Sequence, residues 1–530
     1  MSDPALVFPQ SVASGEPQPH GILLWTRVAP ARQTAASTVA WQVAADQTFA
    51  AILLEGDAML DPARDNTVKV IVDDAKLEPY TGYCYRFIYD GTVSRTGCFK
   101  TLPAPDADLA QIKLAYIVCQ DYGNGYYTAL AHLAQEEADY VLHLGDYIYE
   151  TIMATSFQYD PARIVPPFPS GSTTIPTGIA DYRHLYQVYG SDPNQQAVHE
   201  RFSYIQLWDD HEFANDCHQD FHPDDNPTPD TATPALRQAA NQAWSEYGLA
   251  SAPFDPSQDW EHSIRVYRTL SLGKLADLVI TDERLYRDPP PCGSQSFGGR
   301  YFTLGCDELH DPKRSMLGEE QRAWFLDQVT GSRATWKLWA NEVMLMQLKA
   351  TAVYVDLDQW DGYPAERNDL LSACRKAKVE NLVALTGDIH TFVAGYLKTD
   401  YNDPLEEPVG IELVVGSLTS ANFKEEIESA IHLPSAPLPA KHFGVPHDQL
   451  EPLIRTLNPH IKYWESSTHG YALLTLTPAR LMCEFKAVAT IREETASVRT
   501  LKRLGVHAGK AKLMDGGILG DIAETIKDLV

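Results

Sequence analysis

No apolar stretch in the sequence approaches the roughly 18 consecutive residues that a membrane-spanning helix needs, so a soluble chain is expected. Basic residues are also scarce. Forty-three Lys and Arg face 71 Asp and Glu, and the resulting formal charge of −28 repels a nucleic-acid backbone at long range. An anionic substrate must then be attracted by something local, and bound cations are the natural source. The N-terminus, Met1-Ser-Asp-Pro-Ala, has neither a basic n-region nor an apolar h-region. No secretory signal is read there, and the expectation is a cytosolic protein or one whose signal has been removed. The eight cysteines, Cys84, Cys98, Cys119, Cys217, Cys292, Cys306, Cys374 and Cys483, are too sparse for a disulfide framework. Free thiols are the favoured reading of Cys292 and Cys306, although the two flank a Gly-rich loop and their spacing allows a disulfide in an oxidising compartment. Internal repeats and low-complexity tracts are absent.

What is present divides into two textures. At 530 residues the chain exceeds one ordinary core, and one large α/β domain with a smaller companion is expected. Over the first hundred residues, short alternating runs (Val39, Trp41, Val43; then Val68, Val70, Val72; then Tyr83, Tyr85, Phe87, Tyr89) are separated by turn signals such as Glu78-Pro79 and Asp90-Gly91. That alternation predicts a small β-sandwich over 1–103. After the linker-like Leu102-Pro-Ala-Pro-Asp, continuous apolar runs at 114–118, 140–144, 204–208, 275–280 and 382–385 each stop at a polar cluster. Such runs suit strands buried on both faces, and ligands gather where such strands end. Amphipathic helices are predicted at 128–138 and 237–247, a long Pro/Ser/Thr-rich loop at 151–177, and a terminal helix within the last thirty residues.

Three strand endings carry chemistry. The first is Gly145-Asp146-Tyr147-Ile148-Tyr149-Glu150. An Asp there can bridge two metals, and a Tyr three residues on can turn back toward it. A phenol, with its ordinary pKa near 10, needs a strongly acidic ion such as ferric iron to take its proton. An ordinary aromatic at a loop base fits Tyr149 as well. The second is Trp208-Asp209-Asp210-His211-Glu212-Phe213-Ala214-Asn215-Asp216, a charge grouping that is costly without cations or hydrogen bonds. Asp210 suits a metal, and His211 suits a phosphoryl contact or leaving-group protonation, although a plain surface turn tolerates the same string. The third is Thr386-Gly387-Asp388-Ile389-His390, where Asp388 and His390 at i and i+2 of an extended chain reach one centre together. A buried strand-end cysteine such as Cys119 is, on general grounds, packing rather than a ligand.

The order Gly-Asp-x-x-Tyr, Asp-His-Glu, Gly-Asp-x-His resembles the purple-acid-type and calcineurin-like metallophosphatases. A closer resemblance, over nearly the whole chain, is to the PhoD-type alkaline phosphatases. It is carried by Phe8-Pro-Gln-Ser-Val-Ala-Ser-Gly-Glu-Pro, Leu24-Trp-Thr-Arg, Cys119-Gln-Asp, Gly145-Asp-Tyr-Ile-Tyr-Glu, Asp181-Tyr-Arg, Trp208-Asp-Asp-His-Glu, Trp360-Asp-Gly-Tyr-Pro-Ala-Glu-Arg and Leu385-Thr-Gly-Asp-Ile-His.

The resemblance implies a small N-terminal all-β (Ig/fibronectin-like) sandwich over 1–103. A four-layer αββα metallophosphatase domain, ending in a C-terminal helix, then fills 104–530. It also implies one Fe3+ with one or two Ca2+ ions. Cys119, Asp146 and Tyr149 match the iron ligands, Asp210, Asp388 and His390 the remaining ligands, and Asn215 a lesser member of the metal or phosphate shell. Arg237 resembles the start of the family's Arg-rich helix and is read as a phosphate clamp or a surface cation. Gln238 and Asp216 depart from residues common in relatives.

The expected reaction is in-line attack on a phosphate ester by a metal-activated hydroxide or oxo group, with Asp210 and Arg237 in the site and His211 assisting the leaving group. Two alternatives stand beside it: a phospholipase-like phosphodiesterase on lipid or polymer diesters, and a non-catalytic surface-binding protein on the same scaffold. The family is commonly exported. Oligomeric state is not readable from the residues.

Overall fold

Runs such as Tyr-Val-Leu-His-Leu at Tyr140–Leu144 offer water no face, so they are stable only as strands covered on both sides. The structure, a computed structural model, describes residues 3–152, 158, 161–223, 232–293, 298–426 and 447–516, and it sets these strands at the middle of two stacked sheets. The first sheet runs, edge to edge, through Leu513–Asp515, Val498–His507, Arg480–Val488, Gly470–Leu476, Ile112–Ile117, Tyr140–Leu144, Ser203–Leu207, Val12–Gln18, Gly21–Arg27 and Thr67–Asp73. The second runs through Arg268–Leu272, Ala276–Ile280, Trp336–Ala340, Leu382–Thr386, Gly410–Val414, Phe392–Leu397 and Ile461–Glu465. Parallel pairing is confined to the centre of each.

The inner faces share one core, in which Leu114 and Tyr116 of the first sheet meet Leu278, Leu338 and Leu413 of the second. Tyr116 Oη donates to Leu413 O across this core at 3.0 Å, and Trp336 Nε1 donates to Thr477 O at 2.8 Å. Helices cover the outer faces. Gly318–Gly331 and Pro364–Lys376 pack Phe325, Leu370 and Leu371 onto the second sheet, while Ile179–Tyr189, Pro193–Arg201 and Pro234–Tyr247 cover the first. The αββα layering expected from the sequence is the layering present.

The N-terminal sandwich is not a detached body. Its strands Val12–Gln18, Gly21–Arg27 and Thr67–Asp73 continue the large sheet, because Ser14 and Gly15 pair in parallel with Ser203 and Tyr204. Its second sheet, built on Thr38–Ala44, Ile52–Met59 and Gly82–Tyr89, closes over a core containing Val39, Val43, Phe87 and Tyr89.

Three local expectations are corrected. The helix expected over 128–138 ends at Leu133, since the chain must turn before the strand that begins at Tyr140. The segment 501–516, expected to be helical, is instead strand in Val498–His507 and Leu513–Asp515, where it pairs with Arg480–Val488; the remainder of the expected terminal helix, 517–530, lies outside the described residues. Cysteine scarcity did not exclude disulfides: besides Cys292–Cys306, Cys84 and Cys98 face each other on adjacent strands and are joined. In the long loop, the described residues 161–177 form neither helix nor strand.

Candidate metal centre

Three of the strands, Ile112–Ile117, Tyr140–Leu144 and Leu382–Thr386, lead into left-handed residues. Cys119, Asp146, Asp388 and His390 all have positive φ, at 55°, 57°, 63° and 51°. Side chains other than Gly, Asn and Asp adopt that region at a cost of about 1–2 kcal/mol each, and the surrounding loops must hold them there. Gly145 precedes Asp146 at φ 104°, and a Cβ on it would lie 2.4 Å from Asp209 Cβ and 2.6 Å from Asp209 N, so only glycine lets these two loops meet. Glu212 then fastens them. Its Oε2 accepts from Asp146 N at 3.0 Å and Asp209 N at 2.7 Å, and its Oε1 accepts from Tyr147 N at 2.7 Å. Cys119 N donates to Gly145 O at 3.2 Å, and Ser420 N donates to Cys119 O at 3.2 Å.

One group of donors is Cys119, Asp146 and His390, all buried, with ligand atoms within 4.8 Å of one another. Tyr149 joins it: its Oη donates to Asp146 Oδ2 at 3.0 Å and lies 3.2 Å from His390 Nε2. A second group is Asp146, Asp210 and His211, and a third is Asp209, Asp210 and Asp388. Asp146 thus belongs to the first two groups and Asp210 to the last two. Asp388 and His390 reach the centre by a route other than the expected one. The chain there is not extended, and the two side chains enter different groups.

Electrostatics favour cations. Burial, then the Asp146 carboxylate, pushes both the Cys119 thiol and the Tyr149 phenol well above their ordinary pKa values. Burial also raises Asp146 to about 7, opposed by His211 and reinforced by Asp210 and Asp388. A thiol, a phenol and carboxyls buried together are costly to ionise on their own, and a multivalent cation among them favours their charged forms. Soft thiolate with imidazole and phenolate suits a transition metal, and the all-oxygen groups suit a hard cation. The residues present fit a metal cluster.

His211 packs its ring on Tyr149, with centroids 4.0 Å apart, and its Nδ1 lies 2.6 Å from Glu150 Oε2. Burial opposes the imidazolium, yet Glu150, Asp210 and Asp146 outweigh it and raise the pKa well above the usual value. Asn215, half-buried, donates its backbone N–H to Glu150 Oε1 at 2.8 Å. Arg237 is buried. Its described contacts are Cys217 Sγ at 3.6 Å and the rings of Trp208 and Phe213, each 4.9 Å from the guanidinium carbon.

Sequence reasoning passed over Arg284. It follows the strand Ala276–Ile280 in Thr281-Asp282-Glu283-Arg284, so the strand-end rule that found Asp146 would have found it too. Fully buried, it places Nε 2.5 Å from Asp209 Oδ1, Nη1 2.6 Å from Asp358 Oδ2, and Nη2 2.5 Å from Asp388 Oδ1 and 3.6 Å from Asp210 Oδ1. Asp358 also binds Arg287 at 2.6 Å, and Gln359 Nε2 donates to Asp388 Oδ2. Asp216 accepts at Oδ2 from Tyr301 Oη at 2.5 Å and pairs with Arg300 at 2.8 Å, while its own N–H donates to Asp210 Oδ2 at 2.5 Å.

Comparison with known proteins identifies the family. The PhoD-like phosphatase family matches residues 114–485, and the PhoD-like phosphatase N-terminal domain matches residues 2–103. Over 510 residues the chain is 32% identical to the alkaline phosphatase D of Bacillus subtilis (strain 168), covering 93% of this chain and 79% of that protein. A solved structure described as "Structure of PhoD" matches with a TM-score of 0.84 at 29% identity, covering 98% of this chain and 93% of the other. The chain belongs to the PhoD-like phosphatase family and is a metal-dependent phosphoric-ester hydrolase.

Proposed function

We propose that this hydrolase works with one ferric ion held by Cys119, Asp146, Tyr149 and His390, and with calcium held from Asp146, Asp210 and Asp388, Asn215 lying beside them. The observation that carries the reading is the convergence of a sulfur, an imidazole and a carboxylate within 4.8 Å in a buried pocket, completed by the Tyr149 phenol. Bound there, the ions would acidify an attacking water and offset charge on the phosphoryl oxygens.

The chain's own residues do the rest. Cys119 and Tyr149 would supply anionic donors to the iron, and Asp146, a member of two donor groups, would serve both kinds of ion. Glu150 holds the Nδ1 proton of His211. The imidazolium then carries its second proton on Nε2, the atom that hands it to the departing oxygen. Arg237, within cation–π distance of Trp208 and Phe213, packs against the loop that carries Asp210. The substrate is a small-molecule or lipid phosphate ester. Two disulfides support an oxidising compartment for the chain.

Metal analysis of the purified protein and of Asp146→Ala tests the reading. The parent protein should contain iron and calcium, and the variant should lose both along with turnover. A fully active, metal-replete variant would refute it. Comparing p-nitrophenyl phosphate with its bis ester decides between monoester and diester preference.

A further inference from the structure

Three groups of metal-type ligands lie in the pocket, but one of them already has a cation. We propose that Arg284 is the permanent counter-cation of the Asp209–Asp210–Asp388 group, so that no ion of its own sits among those three carboxylates, and Asp210 and Asp388 serve only the calcium they share with Asp146. The proposal rests on the metal-cluster reading above and adds to it the assignment of one group.

The geometry is that of a guanidinium filling an acidic cage. Three of its nitrogens each meet a different carboxylate at 2.5–2.6 Å, namely Asp209, Asp358 and Asp388, and Asp210 lies 3.6 Å away. Arg284 is fully buried, and so are Asp209 and Asp358, so with the guanidinium in place its pairing with the acids is little screened by solvent. The planar fork of Arg suits this role, because it presents several donors in fixed directions and stays charged.

Asp209 has a different status from its neighbours. Its Oδ1 accepts from Arg284 Nε and from Asp210 N at 2.9 Å, and among the described residues it belongs to no group other than the one that Arg284 occupies. Asp210 and Asp388, by contrast, are calcium ligands in the reading above. Arg284 therefore acts through them: it fixes Asp388 by one oxygen while Gln359 holds the other, and it offsets the repulsion between Asp388 and Asp210. It is a positioning residue, and Asp209 serves it rather than a metal.

Metal stoichiometry distinguishes this from a purely structural role. Metal per chain is measured by mass spectrometry under native conditions during a calcium titration of iron-loaded full-length protein. Asp209→Asn should bind as many ions as the parent; loss of an ion would overturn the proposal. Arg284→Ala should bind one more divalent ion per chain than the parent, and Arg284→Lys the parental number. A folded Arg284→Ala with an unchanged count would also overturn it. If Arg284→Ala does not fold, Asp209→Asn still decides. Should the parent itself hold no metal, the cluster reading fails instead.

Discussion

Glu426 Oε1 lies 2.9 Å from His390 Nδ1, while the opposite nitrogen of the same ring lies 3.2 Å from Tyr149 Oη. The carboxylate thereby holds the Nδ1 proton and turns the Nε2 lone pair toward Cys119 and Asp146. Histidine ligands are commonly oriented in this way, and removing the partner costs about 10–100-fold in metal affinity. Glu426→Ala should weaken iron retention by that order in a chelator-competition assay. Glu426→Gln, whose amide oxygen still accepts from Nδ1, should retain most of it.

Tyr149 is buried between Asp146 and the His211 ring. A tyrosinate on ferric iron absorbs visible light, so the purified protein should be coloured and Tyr149→Phe should lose that colour. Retention of the band in the variant would remove Tyr149 from the iron.

His143 is fully buried on the Tyr140–Leu144 strand, and burial lowers its pKa from 6.5 to about 3. Its Nδ1 accepts from Gly145 N at 3.3 Å, a bond that requires the neutral ring. The unfolded chain therefore binds a proton that the native protein refuses. The associated stability is fully present above pH 6.5 and declines as pH falls toward 3, at about 1.4 kcal/mol per pH unit within the window. Urea unfolding between pH 7 and 4.5 should show a shallower decline for His143→Gln than for the parent.

The Cys292–Cys306 disulfide closes the segment that carries Arg300 and Tyr301 onto Asp216. Opening a loop of this size costs about 3 kcal/mol in the chain-entropy model. A Cys292→Ser, Cys306→Ser double variant should unfold at lower denaturant and lose turnover, since Asp216 N–H also holds Asp210. A variant with unchanged turnover would show that the loop is not needed to set Asp210.

Much of the site was legible locally. Gly145-Asp146-Tyr147-Ile148-Tyr149 and Gly387-Asp388-Ile389-His390 announce themselves because an apolar run ending in acid and imidazole has few other uses, and all of these groups do arrive in one pocket. Glu150 and Glu212 lay inside the same motifs, but their task is to hold backbone N–H groups and a ring nitrogen belonging to other loops, and no spacing rule reveals that. Helix ends were less legible. The 128–138 stretch has a helical pattern, yet the strand that begins at Tyr140 decides where it stops.

The sequence by itself determined the alternation of apolar runs and polar stops, hence the sandwich, the layered sheets and the residues at the strand ends, because periodicity and burial are properties of short segments. Only the tertiary structure decided that the N-terminal strands extend the catalytic sheet through Ser14 and Ser203. It also decided that Arg284, 74 residues from Asp358 and 104 from Asp388, sits among four carboxylates. Pairings at that separation depend on which loops the packed sheets bring together, and no local pattern records it.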